Sequence, residues 1–407
     1  MSATFSAYNY FFDFLSLVFL VLPLYFLSAS ALMRRWLLTA TGMYLLYFIA
    51  PRLLLFYTLF WFATFLLQNL VARFAQERFS LPVFFSAVAV LFAPMALWKI
   101  VGNDFVVFFN LITNHGVQLL SEWIWEVDLI RKIIIPVGVS FATFRAIDLL
   151  IKTYVGRIPS LSFDRVFYFG FFPPVQMVGP IIEYEEIQDR GERASPFAPE
   201  ELFEGVKRIA TGFIKIFLLA FWLRDGTNVF VSFDSMQTWK VWVGLFMFSW
   251  YFYLNFSGYS DIAIGSARLF GYVLKENFSF PYFKRNIQEF WNHWHMSLTR
   301  FAQRNIFVPL GGYRKRTQYR ATLATIMVIA LWHNISLPLV IFGLCHGTGL
   351  IVHRIYMGRK NPASSPPWHA HVSRLMTYLF VTISFPLLFL PLDRLADFYL
   401  TMIGIRG

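Results

Sequence analysis

Long uncharged runs dominate the chain: residues 14–33, 53–72, 79–98 and 321–353 carry apolar side chains with little interruption. Each is long enough to cross a hydrocarbon core of about 30 Å as a helix. Further runs near 133–144, 166–182, 209–223, 241–260 and 375–392 are shorter or contain Pro and Gly. Such backbone is tolerated at membrane depth only where protein or a watery cavity satisfies its polar groups, so re-entrant pieces are expected. The pattern predicts an all-α polytopic membrane protein with about ten to twelve membrane segments.

Polar stretches punctuate these runs. Residues 183–208 are the most polar, and Pro199, followed by Glu200, Glu201 and Glu204 and then Lys207 and Arg208, predicts a short interfacial helix with charges matched to its dipole. A Pro- and Ser-rich stretch at 358–374 reads as a loop holding His369 and His371. Arg314, Lys315, Arg316 and Arg320 precede the 321–353 run, and Arg354, Arg359 and Lys360 follow it. Basic flanks mark cytoplasmic ends, so the run should enter and return as a partly re-entrant hairpin carrying Trp332 and His333 into the membrane. No repeat or low-complexity linker divides the chain, and one membrane domain over 1–407 is expected.

Composition agrees: 57% of residues are hydrophobic and only 14% charged, against about 25% charged in soluble domains. The net charge of +12 comes from basic residues scattered between apolar runs, which fits topogenic charge and anionic headgroups, with no nucleic-acid partner. The first run lacks a basic n-region and is too long for a secretory h-region, so it should remain as a span. Arg34 and Arg35 follow it, placing the N-terminus outside and residue 34 inside. Cys345 is the only cysteine, which excludes an intrachain disulfide and a multi-thiolate zinc site; it reads as a small buried hydrophobe.

Histidines supply the candidate chemistry. His295 in WHMS and His333 in LWHN each follow a tryptophan, Trp294 and Trp332, beside apolar runs. Ionisable groups are costly in hydrocarbon, so a pair of such motifs suggests a shared site. An imidazole can act as a general base near neutral pH. His346, followed by Gly347 and Gly349 on the other leg of the hairpin, reads as structural support. Asp261 either orients a histidine or lines a cavity, or else caps a helix or pairs with a nearby arginine. His293, two residues from His295, would face away from it in a helix. Metal-protease, nucleophile-elbow and P-loop motifs are missing from the sequence, and no metal site is expected.

The runs FSGYSDIAIG at 256–265, ENFSFPYFKRNIQEFWNHWHMSL at 276–298, IFVPLGGYRKR at 306–316 and ALWHN at 330–334 together resemble the membrane-bound O-acyltransferase family. PVGVSFATFRAIDLLI at 136–151 and FFPPVQMVGPI at 171–181 extend the resemblance, giving a catalytic core over about 136–350. The pattern is most similar to the bacterial branch that modifies envelope polymers by alginate-type O-acetylation or teichoic-acid D-alanylation. The resemblance implies His333 as the signature histidine and His295 as the second catalytic histidine. Its further implication is transfer of an acyl group, acetyl first and D-alanyl as the alternative, from a cytoplasmic thioester for O-acylation of an extracellular or periplasmic polysaccharide. The donor would be acetyl-CoA or an acyl-carrier thioester, used as a substrate, with no bound cofactor. Trp294, Trp332, Asn334, Asp261, Arg314, Lys315 and Arg316 are candidates for substrate or donor binding. Membrane lipid, a periplasmic acyltransferase or acyl-accepting protein, and a polysaccharide synthase complex are the implied partners of a multi-pass inner-membrane protein. Asn334 stands where the family often has Gly, and Arg304-Asn305 replaces a common Arg-Asp pair. Readings from other classes are a transporter of lipid-linked precursors with a histidine proton relay and a non-catalytic secretion scaffold.

Overall fold

The computed structural model describes residues 7–49, 51–75, 77–101, 138–176, 178–192, 198–359 and 367–406. These are 80% helical and contain no strand, which makes the chain all-α. Contacts divide it into two compact units: Met1–Thr211 with Tyr259–Lys275, and Gly212–Gly258 with Glu276–Gly407.

The first unit contains α1 (Ala7–Leu27), α2 (Ala31–Ile49), α3 (Pro51–Phe74), α4 (Ser80–Val101), α5 (Val139–Tyr154), α6 (Phe163–Gly170), α7 (Glu185–Glu192) and α8 (Pro199–Phe213). Helix α3 packs against α2, α4, α5 and α6. Its buried Gln68 donates to Thr153 Oγ1 at 2.9 Å and to the Pro159 carbonyl at 2.8 Å, and accepts from Leu161 N–H at 3.0 Å. A buried amide is affordable only when so completely bonded. Lys152 is buried on α5 and meets Asp148, Glu183 and Glu185 at 3.1, 2.7 and 2.6 Å.

Helix α9 (Thr238–Leu269) gives residues 259–269 to the first unit and 238–258 to the second. In the first, α8 approaches it across glycines: a Cβ on Gly265 would lie 2.7 Å from the Gly205 carbonyl. Small residues are what permit two helices to come this close.

The second unit adds α10 (Ile287–His293), α11 (Met296–Ala302), α12 (Gln318–His333), α13 (Leu337–Arg359), α14 (Pro367–Ser384) and α15 (Leu392–Met402). Residues 334–336 turn α12 back on α13, the hairpin expected from its basic flanks. Gly343 lies under Met327 and Gly347 under Leu323, so these glycines let α13 seat on α12.

Several expectations change. The apolar run 14–33 breaks at Ser28–Ser30, and 166–182 breaks where α6 ends and Pro173–Val175 turn. The short interfacial helix at 199 instead continues through π-helical Ile214–Ala220 to Leu223, because the apolar run at 209–223 extends it. The 358–374 loop is also corrected: α13 reaches Arg359 and α14 starts at Pro367, whose fixed φ suits a first helical turn. His369 and His371 therefore lie on that helix; residues 360–366 fall outside the described set, as do 133–137 of the run 133–144. Cys345 is exposed on α13, contrary to the buried reading.

Three described helical segments, Pro51–Phe74, Leu337–Gly358 and Trp368–Phe389, are long and apolar enough to cross a membrane. Exposed Leu20, Leu27, Trp222 and Val231 have no place on a water-facing surface in such number, and suit lipid contact.

Candidate active site

The polypeptide turns abruptly between α10 and α11, and that turn makes the site. Helix α10 starts at a reciprocal cap: Asn286 Oδ1 accepts from Glu289 N–H at 2.8 Å while the Glu289 carboxylate reaches back to Arg285 N–H at 3.1 Å. The sequence N-x-x-E encodes this start. After about two turns the helix stops at His293, and His295 takes left-handed backbone angles, φ 42° and ψ 53°. For a residue with a Cβ this conformation costs roughly 1–2 kcal/mol and persists only when its surroundings over-determine it.

Those surroundings are the non-helical residues 277–279. Met296 N–H donates to the Asn277 carbonyl at 2.8 Å, and Ser279 N–H donates to the His293 carbonyl at 3.1 Å. The Asn277 side-chain oxygen accepts from Ser297 N–H at 3.1 Å and Ser297 Oγ at 2.8 Å, and lies 3.3 Å from His295 Nδ1. Phe256 meets the His295 ring edge-on at 4.8 Å, and Phe278 stacks at 6.3 Å. His293 bonds back to the Glu289 carbonyl at 2.7 Å; the helix ends there, so the helical spacing argument for the two histidines does not apply.

From the hairpin tip, Trp332 reaches the His295 ring at 6.2 Å and lies against His333 at 4.4 Å. His333 is close enough that its charge would oppose one on His295. The two histidine motifs, 38 residues apart in sequence, therefore belong to one neighbourhood within the second unit. They differ in setting. His295 is 3% exposed, and burial, reinforced by His333 and Arg300, pushes its imidazole down to about 3. His333 is only half-buried, at the C-terminus of α12. A 16-residue helix rises about 24 Å, short of the ~30 Å hydrocarbon core.

The remaining candidates separate by surroundings. Trp294 stacks on Phe252, Tyr282 and Phe290 at 5.6–5.8 Å, inside an aromatic cluster. Asn334 accepts from Ile335 N–H at 2.8 Å and shapes the hairpin turn. His346 is buried on α13; Trp291 Nε1 donates to its Nδ1 at 3.3 Å, and its Nε2 meets Ser384 Oγ at 2.9 Å. Arg314, Lys315 and Arg316 are exposed on the turn before α12. Asp261 lies in the first unit, ion-paired with Arg208 at 2.8 Å, the pairing alternative of its sequence reading. Among the described residues no cluster of His, Cys, Asp and Glu could hold a metal ion. Asn277 was not legible as a partner of His295, since an amide 18 positions before the histidine carries no spacing signal.

A family model for the membrane-bound O-acyltransferase family matches residues 5–390. The chain belongs to that family. The match extends well beyond the 136–350 core expected from motifs. This O-acyltransferase-family chain is similar to a probable alginate O-acetylase AlgI of Pseudomonas putida, 29% identical over 73% of this chain and 62% of that protein. It is also similar to a Helicobacter pylori peptidoglycan O-acetyltransferase, 29% identical over 62% of this chain and 51% of the other. A Bacillus subtilis teichoic acid D-alanyltransferase is 25% identical over 61% and 67% of the two chains. The match spans 62% and 52% of the first two alginate relatives' own length.

Proposed function

We propose that the protein is a multi-pass inner-membrane O-acyltransferase that takes an acyl group, acetyl first, from a cytoplasmic thioester for O-acylation of an extracellular or periplasmic polysaccharide. The observation that carries this reading is the convergence of Trp332 and His333 on His295. His333, half-buried, suits the base: its imidazole takes the proton of the attacking hydroxyl, the new O–C bond forms at the thioester carbonyl, the C–S bond breaks, and the departing thiolate recovers the proton. His295 suits positioning, because an imidazole pushed to about 3 stays neutral and is a poor proton acceptor. The names of the relatives support an envelope polymer as acceptor, reached directly or through a periplasmic acyl-accepting protein, with a polysaccharide synthase nearby. About ten to twelve membrane segments would complete the span count.

The test is acyl transfer by purified protein in liposomes. His333→Ala should lower the rate by about 10²- to 10⁴-fold, the usual cost of losing a general base, with normal expression. Wild-type transfer by a well-folded His333→Ala protein would reject the assignment. The D-alanyl reading is favoured by one observation: the match covers more of the D-alanyltransferase's length than of the first alginate relative's. Offering acetyl-CoA and a D-alanyl carrier thioester side by side separates the two.

A further inference from the structure

We infer that Asn277 is a positioning residue that locks His295 in the Nδ1–H tautomer and so presents Nε2 as a hydrogen-bond acceptor to the substrate. The deduction starts from Ser297. Its backbone N–H can only donate, and it meets the Asn277 side chain at 3.1 Å. The atom there must therefore be the amide oxygen, whichever way an amide is drawn, because the NH₂ end accepts nothing. That oxygen only accepts, so His295 Nδ1, 3.3 Å away, must carry a proton to bond it.

The second neighbour agrees. Ser297 Oγ lies 2.8 Å from the same oxygen and donates its hydroxyl proton there, which leaves its lone pairs toward His295 Nδ1 at 3.4 Å. Nδ1–H satisfies both contacts at once, and a neutral imidazole protonated on Nδ1 holds its lone pair on Nε2. Asn277 also holds the backbone at this point, since its carbonyl takes the Met296 N–H. One residue thereby sets both the left-handed turn that aims the ring and the nitrogen that the ring offers. The titratable and charged groups acting on His295 are His333 and Arg300.

The consequence for chemistry rests on the acyl-transfer reading. With Nε2 as acceptor, His295 would take a hydrogen bond from a hydroxyl or amide N–H of the bound substrate beside the reacting oxygen, leaving His333 to receive the proton that moves. A neutral asparagine in this place, rather than a carboxylate, keeps His295 uncharged.

The tautomer can be read without any activity. In protein labelled with ¹⁵N-histidine, with the His295 signals assigned by their loss in His295→Gln, solid-state NMR should show Nδ1 protonated and Nε2 unprotonated at pH 7. Asn277→Ala should yield a mixture of tautomers and lower kcat by roughly tenfold to a hundredfold with donor KM unchanged, the range found for partners that orient metal-bound histidines. Asn277→Asp keeps the acceptor and adds a charge, so it should retain Nδ1–H and a near-wild-type rate at high pH. Its rate should then fall as pH drops, because the carboxylate raises the pKa of His295. Protonation of Nε2 in the wild type would overturn the inference, even if Asn277→Ala fails to fold. A correct tautomer in a protein without acyl transfer would instead count against the acyl-transfer reading alone.

Discussion

At the scale of single residues, His295 couples its burial to pH. Its imidazole sits at about 3 when folded and near 6.5 when unfolded, so between these values the unfolded chain binds the extra proton. Stability from this group is complete above roughly pH 6.5 and declines as pH falls, by on the order of 3 kcal/mol at pH 4. Melting of detergent-solubilised protein should show this as a lower midpoint at pH 5 than at pH 7, with a smaller drop in His295→Gln. Equal pH dependence in both proteins would mean that His295 is not buried neutral. The histidines themselves were legible in the sequence, because two Trp-His pairs beside apolar runs stand out against a background that rejects ionisable groups. Their partners were not: Asn277 acts through a contact 18 residues away in sequence, and only the turn at His295 brings it there. His346 reads from the sequence as support on the second leg of the hairpin; in the structure Trp291 donates to it and it meets Ser384.

At the scale of elements, helix crossings are set by absent side chains. A Cβ on Gly205 would lie 2.9 Å from the Gly265 carbonyl and 2.7 Å from Leu269; backbone cannot yield as a flexible side chain can. Gly205→Ala should therefore destabilise the protein by about 1–3 kcal/mol, as overpacking does. Gly358 meets nothing within 4 Å, and Gly358→Ala should be neutral or stabilise by up to ~1 kcal/mol through helix propensity. Thermal midpoints of the two variants in one detergent make the comparison, and a reversed order would contradict the crossing. The hairpin α12–α13 could be anticipated because charges bracket it at both ends. The stop between α10 and α11 could not, since the residue that takes the left-handed conformation is a histidine and no Gly or Pro marks the break. The helix at Pro367 was hidden for the opposite reason: prolines and serines imitate a loop, while a proline in the first helical turn is compatible with either.

At the scale of the whole molecule, the hairpin decides which charges share one end. Helices α12 and α13 run antiparallel, so Tyr319 near the start of one and Tyr356 near the end of the other must lie at the same end of the pair. Arg314, Lys315, Arg316 and Arg320 gather at that end with Arg354, and an excess of basic residues marks the cytoplasmic side. The same cluster would meet an incoming thioester donor, whose phosphates or acidic carrier surface are negative. Two measurements bear on this together. Cysteines placed at Tyr319 and Tyr356 in a Cys345→Ala background should both resist an impermeant thiol reagent in intact cells and react after permeabilisation. Charge reversal by Arg314→Glu with Arg316→Glu should raise donor KM several-fold at low ionic strength, and the difference should shrink as salt rises toward 0.5 M, where screening acts within about 4 Å. Labelling of both cysteines in intact cells would put the cluster on the outer face and leave it no access to a cytoplasmic donor. A KM unchanged by the charge reversal would leave these arginines as determinants of orientation only.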